Sequence, residues 1–210
     1  PAWVSWGGSD THVGWAPLPP EADFRVEIGF SSWVDSYYEI GPTAYSFVEV
    51  RQLGAPRLAS VIIAPQRNIT IINETRNITN ITRDNNMVVN RGLDYDVVVR
   101  QSARPIRRLR LDRQREIRAD RREERLAARI QGDSLIIPGP EIQASRDARP
   151  SKIARRLERA QVNRGWRDAG SQEQVQQLRA RVRSEAQPPK ELGPKPATIA
   201  ADASAQSDDE

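Results

Sequence analysis

Side chains able to do acid–base, nucleophilic or metal chemistry are sparse in this chain of 210 residues, and where they occur they stand apart. General acid–base catalysis relies on His or on carboxylates in perturbing surroundings. The one His, His12, sits in Ser-Asp-Thr-His and reads as a surface turn residue. Cys is absent, which removes disulfides, thiolate nucleophiles and Cys-ligated zinc. Asp94 and Asp96 of Leu-Asp-Tyr-Asp share a face if that segment is extended, an arrangement a hard cation accepts, but they read as solvent-facing carboxylates between strands. The sequence contains no phosphate-cradling Gly-rich loop, EF-hand loop or Gly-x-Ser-x-Gly elbow. The expectation is a protein that is not an enzyme, with no catalytic residue, no metal site and no cofactor.

Binding chemistry is better represented. Arg supplies 29 of the 32 basic residues, favouring planar pairing with carboxylate or phosphate. Eleven Arg fall in residues 104–131, where Arg107, Arg108, Arg121 and Arg122 are the candidate contacts for an acidic partner. Five acidic residues interrupt them, and the aromatics lie elsewhere instead of interleaving for base stacking, so nucleic acid is disfavoured against a solvated or protein-docking face. Spacings such as Arg113 with Glu116 and Arg121 with Glu124 suit salt bridges along a helix. Asn68, Asn73, Asn77 and Asn80 each begin Asn-x-Thr and are candidate glycosylation acceptors. The alternative is that Asn, Ile and Thr simply build a polar-faced extended segment, and that reading is preferred.

The elements that must carry these groups define an α+β chain. Residues 1–60 hold four of the five Trp, all three Phe and three of the four Tyr, a small β-rich aromatic head whose Trp3, Trp6, Trp15 and Trp33 are candidate interaction residues. Trp3–Trp6 and Val13–Ala16 predict two strands joined at Gly7-Gly8, ended by Pro17, Pro19 and Pro20. Ser31 or Ser32 can cap a short helical turn over Trp33–Ile40. Residues 61–103 read as extended Asn/Ile/Thr structure, with two strands around Asn90-Arg91-Gly92. A helix is the alternative for 67–86, since Ile71, Thr75, Ile78 and Thr82 also fall at helical spacing. Residues 104–131 predict a long Arg-rich helix capped by Ser102 and ended by Gly132, with a thin apolar stripe. Residues 132–186 predict a short strand, Ser134–Ile137, and an amphipathic helix opened by a Ser171/Gln174 capping box. Residues 187–210 predict a disordered tail.

Composition agrees with a modest core: 38% of residues are hydrophobic and 29% charged. The net charge of +4 hides an acidic first sixty residues, at −4, and a basic body. No apolar run approaches the length of a membrane span.

The stretch Pro1–Phe24, with Trp-Val-Ser-Trp followed by Gly-Trp-Ala-Pro-Leu-Pro-Pro, resembles a family of exported bacterial proteins built from Trp- and Tyr-rich repeats. The resemblance continues through Trp33–Val50, the Asn-Ile-Thr segment ending in Val-Val-Asn-Arg-Gly, and Arg-Gln-Ser-Ala-Arg-Pro-Ile-Arg-Arg-Leu-Arg-Leu, over about the first 130 residues. It implies the cell envelope or exterior as location. It also implies that this chain is the C-terminal portion of a precursor with further repeats and an export signal upstream. No catalytic residue follows from it. The leading expectation is therefore a structural or interaction protein of the bacterial envelope, an assembly or accessory subunit partnered by other subunits or by itself. The alternative is a module for a polyanion such as nucleic acid, acidic polysaccharide or lipopolysaccharide. A third reading is a carbohydrate-stacking surface made by the four Trp.

Overall fold

The computed structural model describes residues 3–114, 128–139, 152 and 163–193. The fold is α+β, and the chain divides into two compact units, Pro1–Arg104 with Val162–Glu210, and Pro105–Gln161.

In the first unit, β1 (Val4–Gly8) and β2 (His12–Pro17) form the expected hairpin, with Trp6 opposite Trp15. Gly7 and Gly8 are strand residues, however; the reversal is made by Ser9, Asp10 and Thr11, with the Ser9 amide donating to the His12 carbonyl. β3 (Ser46–Glu49) pairs antiparallel with β2, and β4 (Arg76–Asn77) with β1, giving the order β3-β2-β1-β4. Gly14 is opposite Phe47, and a Cβ built on it would lie 2.3 Å from the Phe47 ring, so the ring occupies the space a side chain would need. Helix α1 (Val34–Tyr38) forms where a short helical turn is expected, but neither Ser31 nor Ser32 caps it through its side chain. Its end is set by Glu39 in the left-handed conformation, φ 54°. A core of Phe30, Trp33, Tyr37, Tyr38, Tyr45 and Phe47, joined by Ile71, Ile72, Ile81 and Leu178, packs around α1.

The Asn-Ile-Thr segment departs from the extended reading. Asn68–Glu74 is helix α2, because Asn68, Ile71 and Ile72 form a buried face and packing overrides the poor helix propensity of Asn and Ile. Extended structure returns in β4 and in the hairpin of β5 (Ile81–Asp84) and β6 (Met87–Asn90). That hairpin turns at Asn85-Asn86, both with positive φ, as Asn tolerates. The second strand expected after Asn90-Arg91-Gly92 is instead helix α3 (Tyr95–Gln101), whose N-cap Asp94 accepts from the Val97 amide at 2.9 Å. Asp94 and Asp96 are thus a helix cap and first-turn residue, not strand carboxylates.

The amphipathic helix, α4 (Gln172–Glu185), has the predicted capping box at Ser171 and Gln174. It packs on α1 through Leu178, Val182 and Ala186. Residues 187–193, expected to be the start of a disordered tail, instead form a 3-10 turn at Lys190–Leu192, and Leu192 packs on the core. The rest of the tail lies outside the described residues.

The second unit corrects the two ends of the expected Arg-rich helix. Arg110–Gln114 is strand β7 and Arg129–Gln131 is strand β8, while residues 115–127 lie outside the described residues. The Arg-Leu-Arg-Leu-Asp alternation from Arg108 has period two, a strand pattern that the thin helical stripe concealed. β9 (Ser134–Pro138), the expected short strand, is central: β7 pairs with it in parallel and β8 antiparallel. Gly132, φ 59°, serves the β8–β9 turn instead of ending a helix. Ser102 closes α3 instead of opening a helix.

Candidate functional sites

The first unit brings together polar groups from distant parts of the sequence. Asp35 of α1 is 5% exposed, fixed beneath the sheet because its neighbours Trp33, Val34 and Tyr38 are core residues. Ser5 of β1 donates from Oγ to Asp35 Oδ1 at 2.7 Å, and Tyr45 donates from its hydroxyl to Oδ2 at 2.6 Å. Ser5 Oγ in turn accepts from Asn77 Nδ2 at 2.9 Å and lies 3.1 Å from Thr79 Oγ1, which accepts from the Trp6 amide. Ser5 and Tyr45 each have one hydroxyl proton, and both are directed at the carboxylate. The 2.9 Å contact between those two oxygens therefore has a proton to fill it only when Asp35 itself carries one. Desolvation by burial is the largest influence on Asp35 and raises its pKa to about 6, against the lowering effect of the Tyr45, Ser5 and Asn77 hydrogen bonds. Burial, then the neighbouring Asp35 charge, pushes the Tyr45 hydroxyl well above its ordinary value, so it stays a donor.

Asp35, Tyr45 and Asn77 of this network line a cavity of about 320 Å³ between β4, α1, α2 and α4. Arg76, Asn77 and Thr75 border it on the β4 side, Ile72 below, and Arg181, Val182, Glu185 and Ala186 along α4. Arg181 closes off the end of α2, donating to the Ile72 carbonyl at 2.6 Å and the Asn73 carbonyl at 2.8 Å, where a cation suits the helix dipole. It also pairs with Glu185 at 3.3 Å. Nothing in the sequence reading singled out Asp35, Tyr45 or Arg181. One signal was present: Asp35 is the only acidic residue between Phe30 and Tyr38, in the most aromatic stretch of the chain.

The predicted aromatic residues do not converge on one surface. Trp33 is buried at 3% exposure. Trp3 is 47% exposed but packs on Phe24 and Phe30, each at 5.7 Å. Trp6 and Trp15 meet edge to face at 6.2 Å and pack with a separate cluster around Val13, Val48 and Val50. With the rings divided between two clusters, a four-Trp sugar platform is not formed. Among the Asn-x-Thr positions, Asn68 is buried and its Nδ2 donates to the Pro42 and Tyr45 carbonyls, so it holds the chain and presents no amide to a modifying enzyme. Asn77 is half-buried on Ser5, Asn73 is exposed with its amide on the Ile69 carbonyl, and Asn80 is exposed. His12 is a turn-adjacent residue against Thr11 Oγ1 at 2.9 Å.

In the second unit, strand register places Leu111, Leu135 and Ile130 side by side across the sheet, because Leu135 is opposite Leu111 on one side and Ile130 on the other. Leu111 is 56% and Ile130 59% exposed, an apolar row facing solvent. Arg107 donates to the Gly132 carbonyl at 2.9 Å and Asp133 at 3.0 Å; Arg110 pairs with Asp112 and Arg129 reaches Gln114. Arg108 is exposed, and Arg121 and Arg122 lie outside the described residues. Among the described residues no cluster of three His, Asp or Glu is placed to hold a metal ion, and no helix is long and apolar enough to cross a membrane. Compared with protein-family models, characterised proteins and solved structures, the chain matches none.

Proposed function

We propose that this chain is a non-enzymatic structural or interaction protein of the bacterial cell envelope, an assembly subunit that associates with further copies of itself. The observation that carries the reading is the apolar row of exposed Leu111 and Ile130 flanking half-buried Leu135, on a small sheet whose outer strands β7 and β8 each pair on one side only among the described residues. An exposed apolar row beside open strand edges is a surface that association buries. Charge names the occupant: residues 105–161 carry sixteen basic and nine acidic groups, whereas the first sixty residues are at −4, so a second copy offers the complementary acidic surface. Export and the envelope as location are supported by the resemblance to the exported Trp/Tyr-repeat proteins. A polyanion partner is the weaker reading, since Arg107, Arg110 and Arg129 already engage groups within the sheet.

Hydrogen exchange at low and high protein concentration tests the reading. Amides of β7 and β8 gain protection as concentration rises, and Leu111→Glu with Ile130→Glu removes that gain. Protection in these strands that is independent of concentration contradicts self-association through this sheet.

A further inference from the structure

Among the described residues, the cavity of the first unit holds an anion without a counter-cation and a cation without a counter-anion. Asp35 at its floor is met by the hydroxyls of Ser5 and Tyr45 and the amide of Asn77, all neutral. A buried carboxylate held only by neutral donors carries a desolvation penalty that an ammonium group would relieve. Arg76, on the edge strand β4, borders the same cavity and its guanidinium makes no ion pair or hydrogen bond within the described residues. Arg181 is anchored on the Ile72 and Asn73 carbonyls, so it is not the receptor.

With Asp35 and Glu185 against Arg76 and Arg181, the lining is balanced in charge. A polyanion would meet two carboxylates and a polycation two guanidiniums, whereas a molecule bearing both signs satisfies each. A volume of about 320 Å³ sits at the small end of ligand sites and admits a small molecule, not a polymer. Ile72, Val182 and Ala186 supply apolar wall between the charged ends. We infer that the cavity is a receptor for a small zwitterion, a free α-amino acid or a dipeptide, with its ammonium on Asp35 and Glu185 and its carboxylate on Arg76. This goes beyond the assembly role and stands or falls separately from it, because it uses neither the apolar row nor the second unit.

The test is a titration of the isotope-labelled full chain with L-alanyl-L-alanine, followed by amide chemical shifts. Saturable shifts are expected at Gly7, Thr75, Asn77 and Val182 by a peptide concentration on the order of 10 mM. N-acetylation or C-terminal amidation of the peptide, and Arg76→Gln or Glu185→Gln in the exposed lining, each weaken binding about tenfold, as loss of one charge-assisted contact does. Asp35→Asn abolishes the preference for the free amine. Should Asp35→Asn fail to fold, the two exposed variants still decide. An absence of saturable shifts overturns the proposal, and so do capped peptides that shift the same amides with equal affinity.

Discussion

Asp35 concentrates the physical chemistry of the first unit at one side chain. Its pKa is raised by burial from 3.8 to about 6, so the folded state binds the proton more tightly than the unfolded chain does. The contribution to stability is therefore fully present below pH 4, is lost as pH rises towards 6, and is gone above it, a change of about 3 kcal/mol. Asp35→Asn keeps the shape, retains an acceptor for the Ser5 or Tyr45 hydroxyl, and removes the buried charge. Relative to wild type, the variant gains about 3 kcal/mol between pH 4 and pH 7 in urea denaturation. A difference between the two that stays constant with pH contradicts the description of Asp35 as a desolvated carboxylate. Asn68 is the second residue whose role the sequence misnames: an Asn-x-Thr acceptor by spacing, it is a buried tie between α2 and the Pro42–Tyr45 segment. Replacing it with Ala removes the side-chain donor from the Tyr45 carbonyl and one of the two donors to the Pro42 carbonyl, which keeps the Tyr45 amide, and costs about 1–3 kcal/mol, read from the urea midpoint. An unchanged midpoint contradicts that role.

At the scale of elements, local signals and tertiary packing divide the outcome. Gly14→Ala is expected to lower stability by about 1–3 kcal/mol, because the new methyl lands on Phe47, which is fully buried and stacked on Tyr45 at 5.2 Å. Wild-type stability in that variant contradicts the tight β2–β3 approach. Where an element carries its own chemistry it was legible: the β1–β2 hairpin from its aromatic alternation, α4 from its capping box, β9 from its apolar run before proline. Where packing decided, it was not. α2 is helical because Ile71 and Ile72 reach the core from one face, although Asn and Ile argue for extended chain. The Arg-rich stretch misled in the opposite direction: high Arg content favours helix locally, while the Arg-Leu alternation pairs Leu111 with Leu135 in a sheet. The candidate cavity was hardest to read, since Ser5, Asp35, Tyr45, Asn77 and Arg181 are far apart in sequence and each is ordinary alone.

For the whole molecule, the proposed assembly is steered by charge and held by apolar contact. Steering by opposite charge weakens as salt screens it beyond a Debye length of about 8 Å at physiological ionic strength. In the proposed assembly the apolar row contributes the part that salt does not remove, so Leu111→Glu with Ile130→Glu is expected to weaken association at high salt as well as at low. Reversing Arg107 and Arg108 together is expected to lower association at low salt more than at high salt, a comparison that gel filtration reads directly. Equal loss at both salts contradicts charge steering. The most direct measurement is the mass of the purified chain by light scattering at low and high salt. The expected mass is above the 23.7 kDa of one chain at low salt, falls with added salt and is reduced to one chain by the Leu111/Ile130 double variant. A mass of one chain at both salts would contradict it.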